Sequence, residues 1–153
     1  MKKLLLSILL SVVFLSVPHI SAEASSTNNQ LIVDTNSKKM DFYQNGKFVK
    51  SFTVATGKAA TPTPKGTFKI VNKIKNRPYY TGKIKGGDPR NPLGDRWLGL
   101  NMAGTYGTTY AIHGTNNNQA IGKATTLGCI RMYNNDVRWL FERIPEQATV
   151  TVK

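Results

Sequence analysis

The chain of 153 residues carries 21 Lys and Arg against 8 Asp and Glu, a formal charge of +13, with one cysteine and two histidines. That length suits one domain and is too short for two. The lone cysteine excludes an internal disulfide, and the scarcity of Cys and His nearly excludes the three or four protein ligands of a zinc site, so no metal is expected.

Residues 1–24 place Lys2 and Lys3 before an apolar run from Leu4 to Val17, followed by Pro18 and the small-residue end Ala22-Glu23-Ala24. This is the layout of a secretory signal peptide. The run is shorter than the ~20 residues of a spanning helix, so any membrane attachment would come only through an uncleaved leader. No cysteine lies near residue 20 for lipoprotein processing, and His19 leaves with the leader. Loss of Lys2, Lys3 and Glu23 leaves 19 basic and 7 acidic residues, a formal charge of +12. Outside the cell such a surface either meets an anionic partner, such as wall polymer or a membrane surface, or only keeps the protein soluble. Nucleic acid is not expected, because no helix-turn-helix, zinc or aromatic ribonucleoprotein pattern accompanies the charge.

Residues 25–29 read as a polar linker, with the domain starting at Gln30. Leu31-Ile32-Val33-Asp34 and residues 39–44 predict strands, with a turn at Asn36-Ser37-Lys38. Asn45-Gly46 is a strong hairpin signal, since both central residues of a type I′ turn need positive φ, and residues 48–55 should return. A three-strand antiparallel opening results. Residues 56–66 form a loop stiffened by Pro62 and Pro64. Phe68, Ile70 and Ile74 then share one parity while Lys69, Lys73, Lys75 and Arg77 share the other, which predicts a strand with a buried face and a wet, basic face.

Residues 78–95 hold four glycines and three prolines and predict a long irregular lid or binding loop. Its Gly-Lys-Ile-Lys-Gly-Gly run lacks the ending of a phosphate cradle. Trp97-Leu98-Gly99-Leu100 reads as a buried strand with Trp97 in the core, and Tyr110-Ala111-Ile112 as another that delivers His113. One helix is evident: Asn134 or Asn135 as cap, Asp136 in the first turn, and Val137, Leu140, Phe141 and Ile144 on one face before Pro145. Residues 148–153 predict a closing strand, and no internal repeat is present.

Cys129 and His113 are the residues that suggest chemistry. A thiol at its ordinary pKa is only about 3% thiolate at pH 7, so a nucleophilic cysteine needs a base or a cation beside it. His113 and Arg131 supply both and are expected to lower the Cys129 pKa. Attack on a carbonyl also needs oxyanion donors, for which the N–H groups of Leu127, Gly128 and Cys129 are candidates, with Gly128 allowing close approach. No carboxylate lies near His113 in sequence, so a backbone carbonyl such as that of Gly114 would orient the ring.

His113-Gly114-Thr115 and Thr126-Leu127-Gly128-Cys129-Ile130-Arg131-Met132 resemble the signature of the L,D-transpeptidase (YkuD-like) catalytic domain. Thr63-Pro64-Lys65-Gly66-Thr67-Phe68 and Asn91-Pro92-Leu93-Gly94 also match its patterns, so the resemblance covers residues 30–153. It implies a mainly β domain, a mixed β-sheet sandwich with one main C-terminal helix. It also implies a secreted or extracytoplasmic, wall-located, monomeric enzyme without cofactor. Such an enzyme cuts the peptidoglycan stem tetrapeptide after its third residue and passes the acyl group to the side-chain amine of another stem, forming 3→3 cross-links. By that resemblance Cys129 is the nucleophile, His113 the base, the Gly114 carbonyl its orienter and Arg131 a substrate-site cation, with Thr126, Leu127 and Gly128 around the oxyanion.

One departure stands out. Where the family has Ser-His-Gly-Cys, Thr126 keeps the hydroxyl but Leu127 replaces the second histidine. The Leu127 N–H remains, whereas any side-chain proton relay is lost. Activity with altered acceptor choice or rate is therefore expected. The alternatives are an L,D-carboxypeptidase or endopeptidase using the same residues with water, and a noncatalytic wall-binding module. A sortase-like enzyme fits poorly, since its spacings are wider and it lacks the Thr-Pro-x-Gly motif.

Overall fold

The computed structural model describes residues 28–153. The signal-peptide expectation for residues 1–24, and residues 25–27 of the expected linker, lie outside the described residues. Strand β1 (Asn29–Asp34) begins one residue inside that linker. Asn29 is polar yet buried, because its backbone is opposite Gln44 in the ladder and its side-chain oxygen accepts from Gln44 Nε2 at 3.3 Å. β2 (Lys39–Gln44) follows a turn in which Asp34 Oδ1 accepts from the backbone N–H of Asn36 at 2.9 Å. Asn45 and Gly46 have φ of 52° and 74°, as the hairpin requires, and β3 (Lys47–Thr53) returns antiparallel.

β3 stops two residues earlier than expected because the chain changes partners. Ala55 exchanges backbone hydrogen bonds of 2.9 and 3.0 Å with Arg131, and β4 (Thr56–Gly57) pairs with a later strand. β5 (Gly66–Lys75) keeps the expected alternation only to Ile70, where the register with its neighbour shifts before Asn72. Beyond that shift the basic row is only partly a wet face, with Lys75 exposed and Lys73 and Arg77 half-buried. Lys73 donates to the Ile144 carbonyl at 2.7 Å and lies over the Phe141 ring, Lys75 pairs with Glu142, and Arg77 turns onto Trp97.

The segment 78–95 is a series of turns containing one small hairpin, in which Tyr79 and Ile84 exchange backbone hydrogen bonds. Asn91 organises its far end: buried, it donates to the Arg77 carbonyl at 2.9 Å and accepts from the Leu93 N–H. β6 (Arg96–Leu100), β7 (Tyr110–His113), β8 (Ala124–Thr126) and β9 (Ile130–Arg131) complete the central region before α1 (Asn134–Phe141) and β10 (Thr149–Val152).

The strands form one eight-stranded mixed sheet, β3-β2-β1-β10-β5-β6-β7-β9, plus the pair β4-β8. Because Ala55 continues β3 and pairs with β9, the two edges of the large sheet meet and the sheet curls around its core. This is the expected mainly β, mixed-sheet architecture with one main helix. Leu31, Phe42, Ile70, Leu98, Ile112 and Ile130 fill the interior, and α1 adds Val137, Leu140 and Phe141. Burying an aliphatic side chain stabilises by roughly 1.5–3 kcal/mol, so this inward stripe fixes α1 without strong capping. Tyr133 stands at the N-cap and caps nothing with its side chain, a correction to the capping expected of Asn134 or Asn135. The Asn134 carboxamide is engaged elsewhere, as described below. Among the described residues no helix is long and apolar enough to cross a membrane.

Candidate active site

Strand pleating determines which side chains meet. Ile112 and Ile130 are opposite each other in the parallel pair β7–β9 and both point into the core. Alternation then turns His113, Cys129 and Arg131 to the other face. Across three strands Trp97, His113 and Arg131 are in register, Trp97 opposite His113 and His113 opposite Arg131. Cys129 comes one pleat before Arg131. The expected pair, fifteen residues apart in sequence, therefore shares one face, and both line a cavity of about 440 Å³ together with Arg77, Tyr80, Leu93, Trp97 and Leu127.

His113 is 2% exposed. Its ring lies against Trp97 with centroids 5.6 Å apart and planes 20° from parallel, while the Trp97 N–H is anchored on the Gly107 carbonyl at 2.8 Å. His113 Nδ1 is 2.7 Å from the Gly114 carbonyl oxygen. A carbonyl only accepts, so Nδ1 carries the proton and Nε2 keeps the lone pair of a base. Gly114 thus sits where its expected orienting role requires. A Cβ there would come 2.2 Å from Asn134 Oδ1, which explains the glycine. Asn134 holds the next residue by two hydrogen bonds of 2.9 Å, accepting from the Thr115 N–H and donating to its carbonyl. The first residue of α1 thereby locks the loop that leaves His113.

Cys129 is half-buried and its thiol donates to the Thr109 carbonyl at 3.4 Å. Here the structure corrects the expected electrostatics. Burial pushes the Cys129 thiol above its ordinary pKa, outweighing the opposing pull of the Ala111 N–H and of Arg131 and Arg77. Burial also brings His113 down to about 4, helped by the Arg131 charge and opposed by the carbonyls of Gly114 and Leu93. The resting pair is therefore thiol and neutral imidazole, not thiolate and imidazolium. Chemistry at this site needs the sulfur to hand its proton to the ring as it attacks.

The loop before Cys129 also differs from expectation. The Gly128 N–H is bonded to Thr126 Oγ1 at 3.1 Å, which in turn donates to the Cys129 carbonyl at 2.6 Å. The Gly128 N–H is therefore already engaged, and buried Thr126, which also lines the cavity, organises the loop through its hydroxyl. The donors left are the N–H groups of Leu127 and Cys129. Gly128 has φ 118°, a conformation that side chains rarely adopt, and a Cβ would lie 2.8 Å from Tyr110 Cε1, so the backbone and the packing on Tyr110 both call for glycine. Gly128→Ala is expected to destabilise the protein by about 1–3 kcal/mol, read as a lower urea midpoint at unchanged slope. Leu127 itself is 72% exposed at the rim.

Sequence reasoning missed Arg77, Trp97 as the rest for the His113 ring, and Asn134. Parity put Arg77 on a wet face, and nothing in the sequence signals the register shift that redirects it. Among the described residues no group of three His, Cys, Asp or Glu is placed to hold a metal ion.

The family model for the YkuD L,D-transpeptidase catalytic domain matches residues 28–152. YqjB of Bacillus subtilis (strain 168), whose name places it among the L,D-transpeptidases, is 42% identical over 123 residues, 80% of this chain and 69% of that protein. YkuD of Bacillus licheniformis, similarly named, is 37% identical over 80% of this chain, and the chain spans 64% of its length. The solved L,D-transpeptidase from Mycobacterium smegmatis shares the fold with a TM-score of 0.66 at 18% identity, covering 83% of this chain and 59% of that one. The chain therefore belongs to the L,D-transpeptidase catalytic domain family, YkuD.

Proposed function

We propose that residues 28–153 are the catalytic domain of a peptidoglycan L,D-transpeptidase that works through a thioester on Cys129. The observation that carries this reading is the shared face of His113, Cys129 and Arg131 on one cavity, with the His113 ring held through Nδ1 on the Gly114 carbonyl. The donor stem binds with its scissile carbonyl at Sγ. As sulfur attacks, its proton passes to His113 Nε2, and the developing oxyanion meets the N–H groups of Leu127 and Cys129. The imidazolium, steadied by the Gly114 carbonyl, then protonates the departing amine. An acceptor amine on a second stem attacks the thioester, and His113 takes that proton in turn. The thioester conserves the free energy of the broken amide, which suits a compartment without nucleotides.

The setting follows from the same reading. Residues 1–24 act as the export signal, the protein works outside the cytoplasm on stem peptides of the wall, and its basic surface favours anionic wall polymers. Leu127 offers the acceptor an apolar, exposed contact in place of an imidazole.

The test is product analysis with a disaccharide-tetrapeptide. A 3→3 linked dimer is expected. Tripeptide alone would make the protein a carboxypeptidase, and unchanged substrate would leave a wall-binding module.

A further inference from the structure

The active-site cavity is electrostatically one-sided. Arg77 and Arg131 both line it, and no Asp or Glu does. Among the described residues neither arginine forms an ion pair, although Arg96 and Arg138 nearby both reach Asp95. Arg131 Nε is buried without a hydrogen-bond partner. Arg77 is held by different means. Its guanidinium carbon lies 4.0 Å from the Trp97 ring centre and 5.6 Å from that of Tyr80, and Nη2 donates to the Thr108 carbonyl at 3.1 Å. A planar cation held over an aromatic ring with further N–H donors unspent is preorganised for a carboxylate. Two unneutralised arginines beside a half-buried cysteine and a buried imidazole disfavour a cationic ligand and attract an anionic one.

We propose that Arg77 is a specificity-determining residue, binding together with Arg131 the free α-carboxylate of the amino acid that leaves the donor stem. This rests on the transpeptidase reading of the site. In a donor cut after its third residue, the fourth residue's carboxylate is separated from the scissile nitrogen by a single carbon, so it must lie within the same cavity as Sγ. During acylation the Sγ–C bond forms and the amide C–N bond breaks. The thiol proton travels through His113 to the departing nitrogen, and the fourth residue leaves as a free amino acid with its carboxylate intact. Stems whose last carboxylate is capped as an amide, or moved away by a fifth residue, lose the contact.

The experiment measures release of the terminal residue from a tetrapeptide stem and from its C-terminal carboxamide, using the full-length protein, Arg77→Gln and Arg77→Lys. Wild type is expected to favour the acid by on the order of 10- to 100-fold in kcat/KM, the size of one or two charge-assisted contacts. Arg77→Gln lowers that ratio toward what Arg131 alone supplies, by slowing the acid selectively. Arg77→Lys keeps the charge without the planar fork and gives a several-fold smaller ratio than wild type. Equal rates on acid and amide in wild type overturn the proposal, as does a wild-type ratio in either variant. A loss that falls equally on both stems also overturns it, since Arg77 then only supports Trp97 or meets another anionic group of the stem. Should Arg77→Gln fail to fold, Arg77→Lys decides alone. Wild type that releases nothing from either stem refutes the transpeptidase reading instead, so the two failures are distinct.

Discussion

Cys129→Ala is expected to abolish formation of 3→3 cross-links, with acylation slower by on the order of 10⁶-fold, while binding to isolated wall persists. No second thiol exists to take over, because Cys129 is the only cysteine in the chain. The loss should be chemical, not structural. Alanine removes only the sulfur and its weak hydrogen bond to the Thr109 carbonyl, and Cys129 is only half-buried, so the melting temperature should move little. Chromatography of muramidase-digested sacculi checks the first expectation and a sedimentation assay the second. Cross-linking that survives in the variant would show that the wall-bound protein works by other means.

His113→Ala is expected to slow acylation by about 10²–10⁴-fold, the contribution of a positioned general base. Its pH dependence separates this account from a preformed ion pair. With His113 brought down to about 4, the ring is neutral and competent across the range above that value. The acylation rate should therefore stay flat from pH 8 to pH 5 and fall only as the pH approaches 4. The Cys129 thiol, pushed up by burial, should react sluggishly with iodoacetamide near pH 7, since little thiolate is present. A rate that falls below pH 6.5, or rapid alkylation at neutral pH, would point to thiolate and imidazolium instead. Stability carries the same signature. An unfolded histidine binds its proton near pH 6.5 and the buried one not until about 4, so between those values the unfolded state holds more protons. The stability present above pH 6.5 is lost as the pH falls through this window, by about 3 kcal/mol in all, and His113→Ala should remove that loss.

Local rules made much of the fold legible. Asn45-Gly46 declared its hairpin because only certain residues accept two positive φ values in succession. Trp97–Leu100 and the β7 segment announced themselves as apolar runs, and the stripe Val137, Leu140, Phe141 identified the helix. What stayed hidden depends on partners distant in the chain. The short strands β4, β8 and β9 exist only because Thr56 and Gly57 find Ala124 and Thr126, and because Ile130 finds Ile112. Two or three residues carry no periodicity of their own. The same holds at the site. Cys129, His113, Gly114 and Arg131 were evident from residue chemistry and from family likeness, and the curled sheet brings the side chains of Cys129, His113 and Arg131 to one face. The engagement of the Gly128 N–H by Thr126 was not legible, because a hydroxyl three residues before a carbonyl folds back on its own loop, a local hydrogen bond that composition does not reveal. The charge state was misjudged for a related reason. Proximity of His113 and Arg131 argues for a thiolate, but the burial that opposes it is a property of the whole fold.

Nucleophilic attack by the Cys129 sulfur is the claim on which the rest depends, and intact-protein mass after incubation with a carbapenem tests it most directly. The account predicts one covalent adduct per chain, mapped to the peptide bearing Cys129 and absent from Cys129→Ala. An unshifted mass, with the thiol shown to be free by titration, would contradict it.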